Sequence, residues 1–92
     1  MEFEWDGEKA AANFRKHGVA FVEAAYALGD PSLVEERDER FDYGEERYFA
    51  IARGIKLLLA IVYTERGGSI RIISAREATR NEQHKYHRQN AT

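Results

Sequence analysis

Cysteine is absent from this 92-residue chain. That excludes disulfides, zinc–thiolate sites and thiol nucleophiles together, and it suits a reducing compartment. Proline occurs once, as Pro31, where Gly29-Asp30-Pro31 marks the end of a helix. No apolar run approaches the roughly 18 residues a membrane helix needs. The acidic opening MEFEWDGE is not that of a signal peptide. A cytoplasmic location without membrane contact is therefore expected. Phosphate-binding glycine loops, dinucleotide fingerprints and nucleophile elbows are missing too. His84 and His87 stand i, i+3 and could share a metal, but nothing nearby in the sequence completes a site. Two exposed helix histidines is the plainer reading, so no metal and no cofactor are expected.

What is present is an ordinary globular composition, 43% hydrophobic and 33% charged. The length suits one domain over residues 1–92, with a modest core that a partner or oligomer can supplement. Net charge is only −2, but it is unevenly spread. Residues 1–52 hold 6 Lys/Arg against 13 Asp/Glu, a balance of −7. Residues 53–92 hold 8 against 3, a balance of +5. Such asymmetry signals either a basic binding face or two halves that attract each other in the fold.

The organising stretch is Lys56 to Arg80. Leu57–Tyr63 is a short continuous apolar run, which reads as a strand buried on both faces. Residues 64–69 read as a hairpin loop with Gly67 and Gly68 free to take positive φ. A second strand follows at about 69–75. Upstream, residues 47–53 alternate, with Phe49 and Ile51 on one side and Tyr48, Ala50 and Ala52 on the other. Residues 2–6 give a short strand with Phe3 and Trp5 on one face. Leu33 and Val34 centre a short edge strand at 33–37. The charged run Glu35–Glu46 reads as a solvated loop.

Helices are expected at 8–17, with Ala10, Ala11 and Phe14 as the apolar stripe, and at 20–28, where Phe21, Ala24, Ala25 and Leu28 fall at helical spacing. A last helix at 79–88 starts at the Thr79-x-x-Glu82 capping box, and the final four residues read as a frayed tail. The expected class is α+β in two layers: an antiparallel sheet of three to four strands, two N-terminal helices and a short C-terminal helix, all helices on one face.

The chemistry on offer is cationic. Metal-free RNA cleavage needs a base for the 2′-OH proton, an acid for the leaving 5′-oxygen, and cations for the charged phosphorus. Arg53, Arg66, Arg71, Arg76 and Arg80, with Tyr63 and Glu65 near the hairpin loop, make a phosphate and base platform. Equally, arginines on exposed strands keep a surface soluble. Lys16 and His17 end a helix, where cations also meet the helix dipole.

Several segments resemble BrnT toxins: Phe3-Glu4-Trp5-Asp6 with Lys9, Asn13 to Phe21 (NFRKHGVAF) with Glu23-Ala24, and Gly44-Glu45-Glu46-Arg47-Tyr48 with Ala50-Ile51. So do Val62-Tyr63-Thr64-Glu65-Arg66 and Ile70 to Arg76 with Ala78, Glu82 and Tyr86. The resemblance covers nearly the whole chain, in order. It implies a RelE-like fold and the toxin half of a type II toxin–antitoxin pair, a ribonuclease that arrests translation. It also implies a BrnA-type antitoxin resembling a ribbon-helix-helix DNA binder, in a hetero-oligomer with 2:2 as one stoichiometry. DNA would then be touched only through the antitoxin, and RNA would be the substrate. Site roles carry over as catalytic for Lys16, His17, Arg53, Tyr63, Arg71 and Arg76, and as RNA-binding for Arg66; Arg80 is an RNA-binding candidate from its place in the basic stretch alone. Two positions depart from the pattern: Ala20 replaces a usual hydroxyl residue, and Ser69 stands where a basic residue is common. Alternatives are a non-catalytic interaction module of the same fold, and a DNA-binding regulator using the segment Thr79–Arg88.

Overall fold

Two adjacent glycines set the centre of the sheet. In the computed structural model, which describes residues 1–40, 42 and 44–91, Gly67 and Gly68 have φ of 56° and 86°. Paired positive φ values make a type I′ turn, whose twist matches the strands it joins. The turn is therefore two residues, tighter than the expected loop of 64–69. It connects strand Leu58–Arg66 to strand Ser69–Glu77 with Arg66 opposite Ser69.

Numbered along the chain, the elements are β1 (Glu2–Glu4), α1 (Gly7–His17), α2 (Phe21–Ala27), β2 (Val34–Asp38), β3 (Arg47–Arg53), β4 (Leu58–Arg66), β5 (Ser69–Glu77) and α3 (Arg80–Gln89). The class is α+β. The strands form one sheet in the order β1-β5-β4-β3-β2. Pairing is antiparallel except for β1 against β5. The expected antiparallel sheet of three to four strands is thus corrected to a mixed sheet of five. The parallel pair arises because the chain crosses from β1 through two helices to the far edge at β2, then meanders back through β3 and β4 until β5 lies beside β1.

The charged edge strand is β2, one residue later than 33–37. The solvated loop begins only after it, and residues 39–46 have no regular structure where described. Phe41 and Tyr43 in that loop, and Thr92 in the expected tail, lie outside the described residues.

Alternation along the strands makes two different faces. On one, Ala50, Ala52, Leu59, Ile61, Tyr63, Ile72 and Ala75 meet Val19 and the α2 residues Phe21, Ala24 and Ala27. On the other, Val34, Ile51 and Leu58 meet Ala78 and Tyr86. So α3 lies across the sheet from α1 and α2, and the expectation of all helices on one face is overturned. Both faces of β4 are apolar, as its continuous run requires. α3 covers one end of the second face and leaves the rest open.

Of the expected α1 stripe, Ala10 packs against the core and the other two residues do not. Phe14 is 50% exposed and Ala11 is exposed, while Asn13 is 8% exposed. The Asn13 amide takes the place of a neighbouring strand. Its Nδ2 donates to the carbonyls of Ala75 at 2.8 Å and Val19 at 3.1 Å. Its Oδ1 accepts from the Ala75 N–H at 3.2 Å. β1 pairs with β5 only from Ser69 to Arg71, so this outer edge of Ala75 has no strand beside it. A buried backbone edge must be satisfied somehow, and one side chain does so twice.

α3 is attached by polar groups around its single large apolar residue. The Tyr86 hydroxyl donates to Asp30 Oδ2 at 2.7 Å. That carboxylate also accepts from the N–H of Arg53 at 2.9 Å and of Ser32 at 2.8 Å. At the other end, the capping box forms: Thr79 Oγ1 accepts from the Glu82 N–H, and Glu82 Oε1 accepts from the Thr79 N–H at 2.8 Å. The same Glu82 carboxylate takes a two-pronged contact from Arg76 at 2.8 and 3.0 Å.

Two outcomes follow. Asn13→Ala strands a buried N–H and two buried C=O groups, so unfolding by urea should show a loss of about 3 kcal/mol. A variant within about 0.5 kcal/mol of wild type would contradict the role given to Asn13. The second concerns pH. Burial pushes the Asp30 carboxyl up, but the bonds from Tyr86, Arg53 and Ser32 outweigh it, and the group ends below its ordinary 3.8. The Arg76 hydrogen bonds hold Glu82 below its ordinary 4.5 against the opposing effect of burial. Carboxyls lowered in the folded state stabilise it fully above their ordinary values. That stability is lost as pH falls from those values through the lower folded ones. Melting temperature should therefore drop through this acid range, and Asp30→Asn should flatten the drop.

Candidate functional site

The open part of the second sheet face carries the charge. Strand parity puts Arg47 and Phe49 of β3, Val62, Thr64 and Arg66 of β4, and Arg71, Ser74 and Arg76 of β5 on it, together with Glu4 of β1. Parity is kept across an irregularity: Val62 faces Ser74 but Tyr63 faces Ile72, so Ile73 is an extra residue in β5. The bulge keeps Arg71 and Arg76 on the same face although an odd number of positions separates them.

The side chains fall into two groups. At the hairpin end, one row crosses the sheet. Thr64 is opposite Arg71, Arg71 is opposite Glu4, and Arg47 adjoins Thr64 one step beyond the Tyr48–Tyr63 pair. With strands about 4.8 Å apart, Arg47 and Arg71 are two strands, roughly 10 Å, apart at the backbone. Arg66 stands two residues further along β4. At the α3 end lies Arg76, in the row of Ala60 and Ile51. Between the groups the floor is Phe49, Val62 and Ser74, all half-buried.

Each arginine of the face has a carboxylate beside it. Arg66 donates to Glu45 Oε1 at 3.0 Å, and Arg47 Nε donates to Glu45 Oε2 at 3.4 Å. Arg71 is 3.9 Å from Glu4 Oε1, an ion pair without a hydrogen bond. Arg76 is held by both oxygens of Glu82, which raises its affinity for its proton further. Thr64 is only 2% exposed, and its hydroxyl donates to the Glu46 carbonyl at 2.6 Å. It spaces the arginines and offers no free group.

Of the residues expected from the sequence, Arg66, Arg71 and Arg76 share this face. Tyr63 does not. It is 3% exposed, on the helical side, and stacks on Tyr48 with centroids 5.6 Å apart. Its parity with Leu59 and Ile61 was the available signal. Arg53 is on the α3 side, with its guanidinium 5.7 Å from the centre of the Tyr86 ring. Arg80 is exposed in the first turn of α3. Lys16 and His17 end α1, away from the open face. His17 lines a cleft of about 310 Å³ with Val19, Glu23, Leu57, Leu59 and Glu77. Reasoning from the sequence missed Arg47, whose parity with Phe49 and Ile51 would have placed it. It also missed the paired carboxylates Glu4, Glu45 and Glu82.

His84 and His87 are both exposed on α3. Among the described residues no group of three or more His, Asp or Glu side chains is gathered as a metal site. No helix of the described residues is long and apolar enough to cross a membrane.

A family model described as a ribonuclease toxin, BrnT, of type II toxin–antitoxin systems matches residues 5–82. The match runs from just after β1 to the first turn of α3 and includes every residue of the charged face except Glu4. No curated protein matches the chain.

Proposed function

Because the chain belongs to the BrnT family of type II ribonuclease toxins, we propose that the whole chain acts as one toxin domain in the cytoplasm. It cleaves single-stranded RNA on the open sheet face without a metal ion and so blocks translation. The observation that supports this most is that Arg66, Arg71 and Arg47 project from the open part of one sheet face, with Arg76 on the same face at its border with α3. A phosphodiester chain laid between the two arginine groups meets cations at both ends and the Phe49 ring between them. Base stacking on an aromatic and phosphate pairing with arginine is the usual basis of single-strand binding.

Arg71 and Arg76 are assigned to the reacting region, where fixed guanidiniums stabilise the charge that builds on phosphorus. Glu4, beside Arg71, is the proton acceptor this face offers for the 2′-OH as its oxygen bonds to phosphorus, and the 5′-oxygen released from phosphorus takes its proton from water. Arg66 holds a neighbouring phosphate, and Arg80 extends the cationic track along α3. Lys16, His17 and Arg53 lie outside this assignment, as does the buried Tyr63. A BrnA-type antitoxin neutralises the toxin in a 2:2 assembly and carries the DNA contacts.

A second reading, a non-catalytic interaction module, has one observation behind it: every arginine of the face already has a carboxylate partner. The two readings separate in a digestion assay. Wild-type protein should cut single-stranded RNA equally with and without EDTA. Arg71→Ala should lower the rate about 100-fold or more, the scale for removing one charge-stabilising donor. Glu4→Gln should slow cleavage while RNA affinity is kept. Intact RNA from correctly folded wild type supports the interaction module; loss of cutting in EDTA overturns metal independence.

A further inference from the structure

We propose that Arg47 and Arg66 form a phosphate-binding site, and that Glu45 of the same chain occupies it until RNA displaces it. This rests on the reading of the open face as the RNA surface. The two arginines come from different strands and converge on one carboxylate, one on each oxygen, at 3.4 and 3.0 Å. Two guanidiniums sharing two oxygens of one anion is also the way a phosphate bridges arginines. Glu45 thus occupies the position that a phosphodiester of the substrate would take.

The exchange is physically open. The side chains of Arg47 and Glu45 are each 26% exposed and that of Arg66 is 52% exposed. Arg66 is wet enough for its pair to hold weakly, and the Arg47 contact is long at 3.4 Å, so a better anion can displace Glu45. The hydrogen bond from Arg66 keeps the Glu45 carboxyl below its ordinary value, so the competitor stays charged at neutral pH.

Displacing Glu45 also leaves the backbone in place. The next residue is anchored independently: the Glu46 carbonyl accepts from Thr64, and its carboxylate accepts from the Tyr48 hydroxyl at 3.1 Å and from Arg37. On the other side stands Gly44 with φ of 72°. The Glu45 side chain can leave while β3 and the start of its connection stay put. The chain would then restrain its own RNA affinity, which accords with an RNA-binding protein of net charge −2.

The test is binding of a fully 2′-O-methylated single-stranded oligoribonucleotide, which cannot be cut, followed by fluorescence anisotropy at low salt. Glu45→Gln should tighten binding about fivefold, the factor for losing one exposed competing ion pair. Arg66→Ala should weaken binding, and in that background Glu45→Gln should add little. Glu35→Gln, which removes a charge from the other face, should change affinity far less than Glu45→Gln. Unchanged or weaker binding by Glu45→Gln, in a variant that melts like wild type, overturns the site. So does an equal gain in the Arg66→Ala background, because it marks a mere change in net charge. Uncut natural RNA with the pattern above intact refutes the nuclease reading alone. Cleavage by wild type with no effect of Glu45→Gln on binding refutes the phosphate site alone.

Discussion

A side-chain amide standing in for a strand is the contact on which this molecule turns. β5 lies between β4 and a β1 only three residues long. Beyond Arg71 its outer edge would be bare, and it is buried there. Asn13 closes that edge at Ala75 and in the same motion ties down the Val19 carbonyl, which sets the α1–α2 turn. The consequence reaches the far side of the sheet. Ala75 points toward the helices and Arg76 away from them, so the bond that fixes Ala75 also fixes where Arg76 emerges. A structural bond on one face thereby sets the geometry of a charged group on the other.

The two faces have been given different work by how they are covered. α1 and α2 bury one face with small residues, Ala24 and Ala27 against Ala50, Ala52 and Ala75. Small side chains let helix and sheet approach closely. α3 brings little apolar surface and covers only the rows around Ile51 and Leu58. What it leaves exposed is where Arg47, Arg66, Arg71 and Ser74 sit. The carboxylates interleaved with these arginines explain how a cationic surface coexists with an acidic chain. They prevent like-charge repulsion in the free protein and compete with any phosphate that arrives.

Much of the fold could be read from local patterns. The Gly67-Gly68 turn, the alternation of 47–53 and the Thr79–Glu82 capping box each depend on residues close in sequence, and each forms, the turn within tighter bounds than the 64–69 expected. What was illegible depends on distant partners. Nothing near Glu2–Glu4 announces a parallel pairing with Ser69–Arg71. The side of the sheet that α3 takes is decided by Asp30, 56 residues before Tyr86. Asn13 reads as polar and therefore outward until Ala75 is seen to need it, and Phe14 is displaced to the surface as a result. For the site, parity alone separates Arg71 from Tyr63, whereas the pairing of each arginine with Glu4, Glu45 or Glu82 required the tertiary structure. Lys16 and His17 failed to join the arginines for the same reason: adjacency in a motif is not adjacency in space.

The central claim is that RNA lies on the sheet face opposite α1 and α2. Chemical-shift mapping with an uncleavable 2′-O-methylated oligoribonucleotide tests it most directly. If RNA lies there, amides of 47–49, 62–66 and 69–76 shift on titration, while those of α1, α2 and 54–57 stay in place. Shifts concentrated around His17, Glu23 and Leu57, with the β5 arginines unmoved, would contradict it.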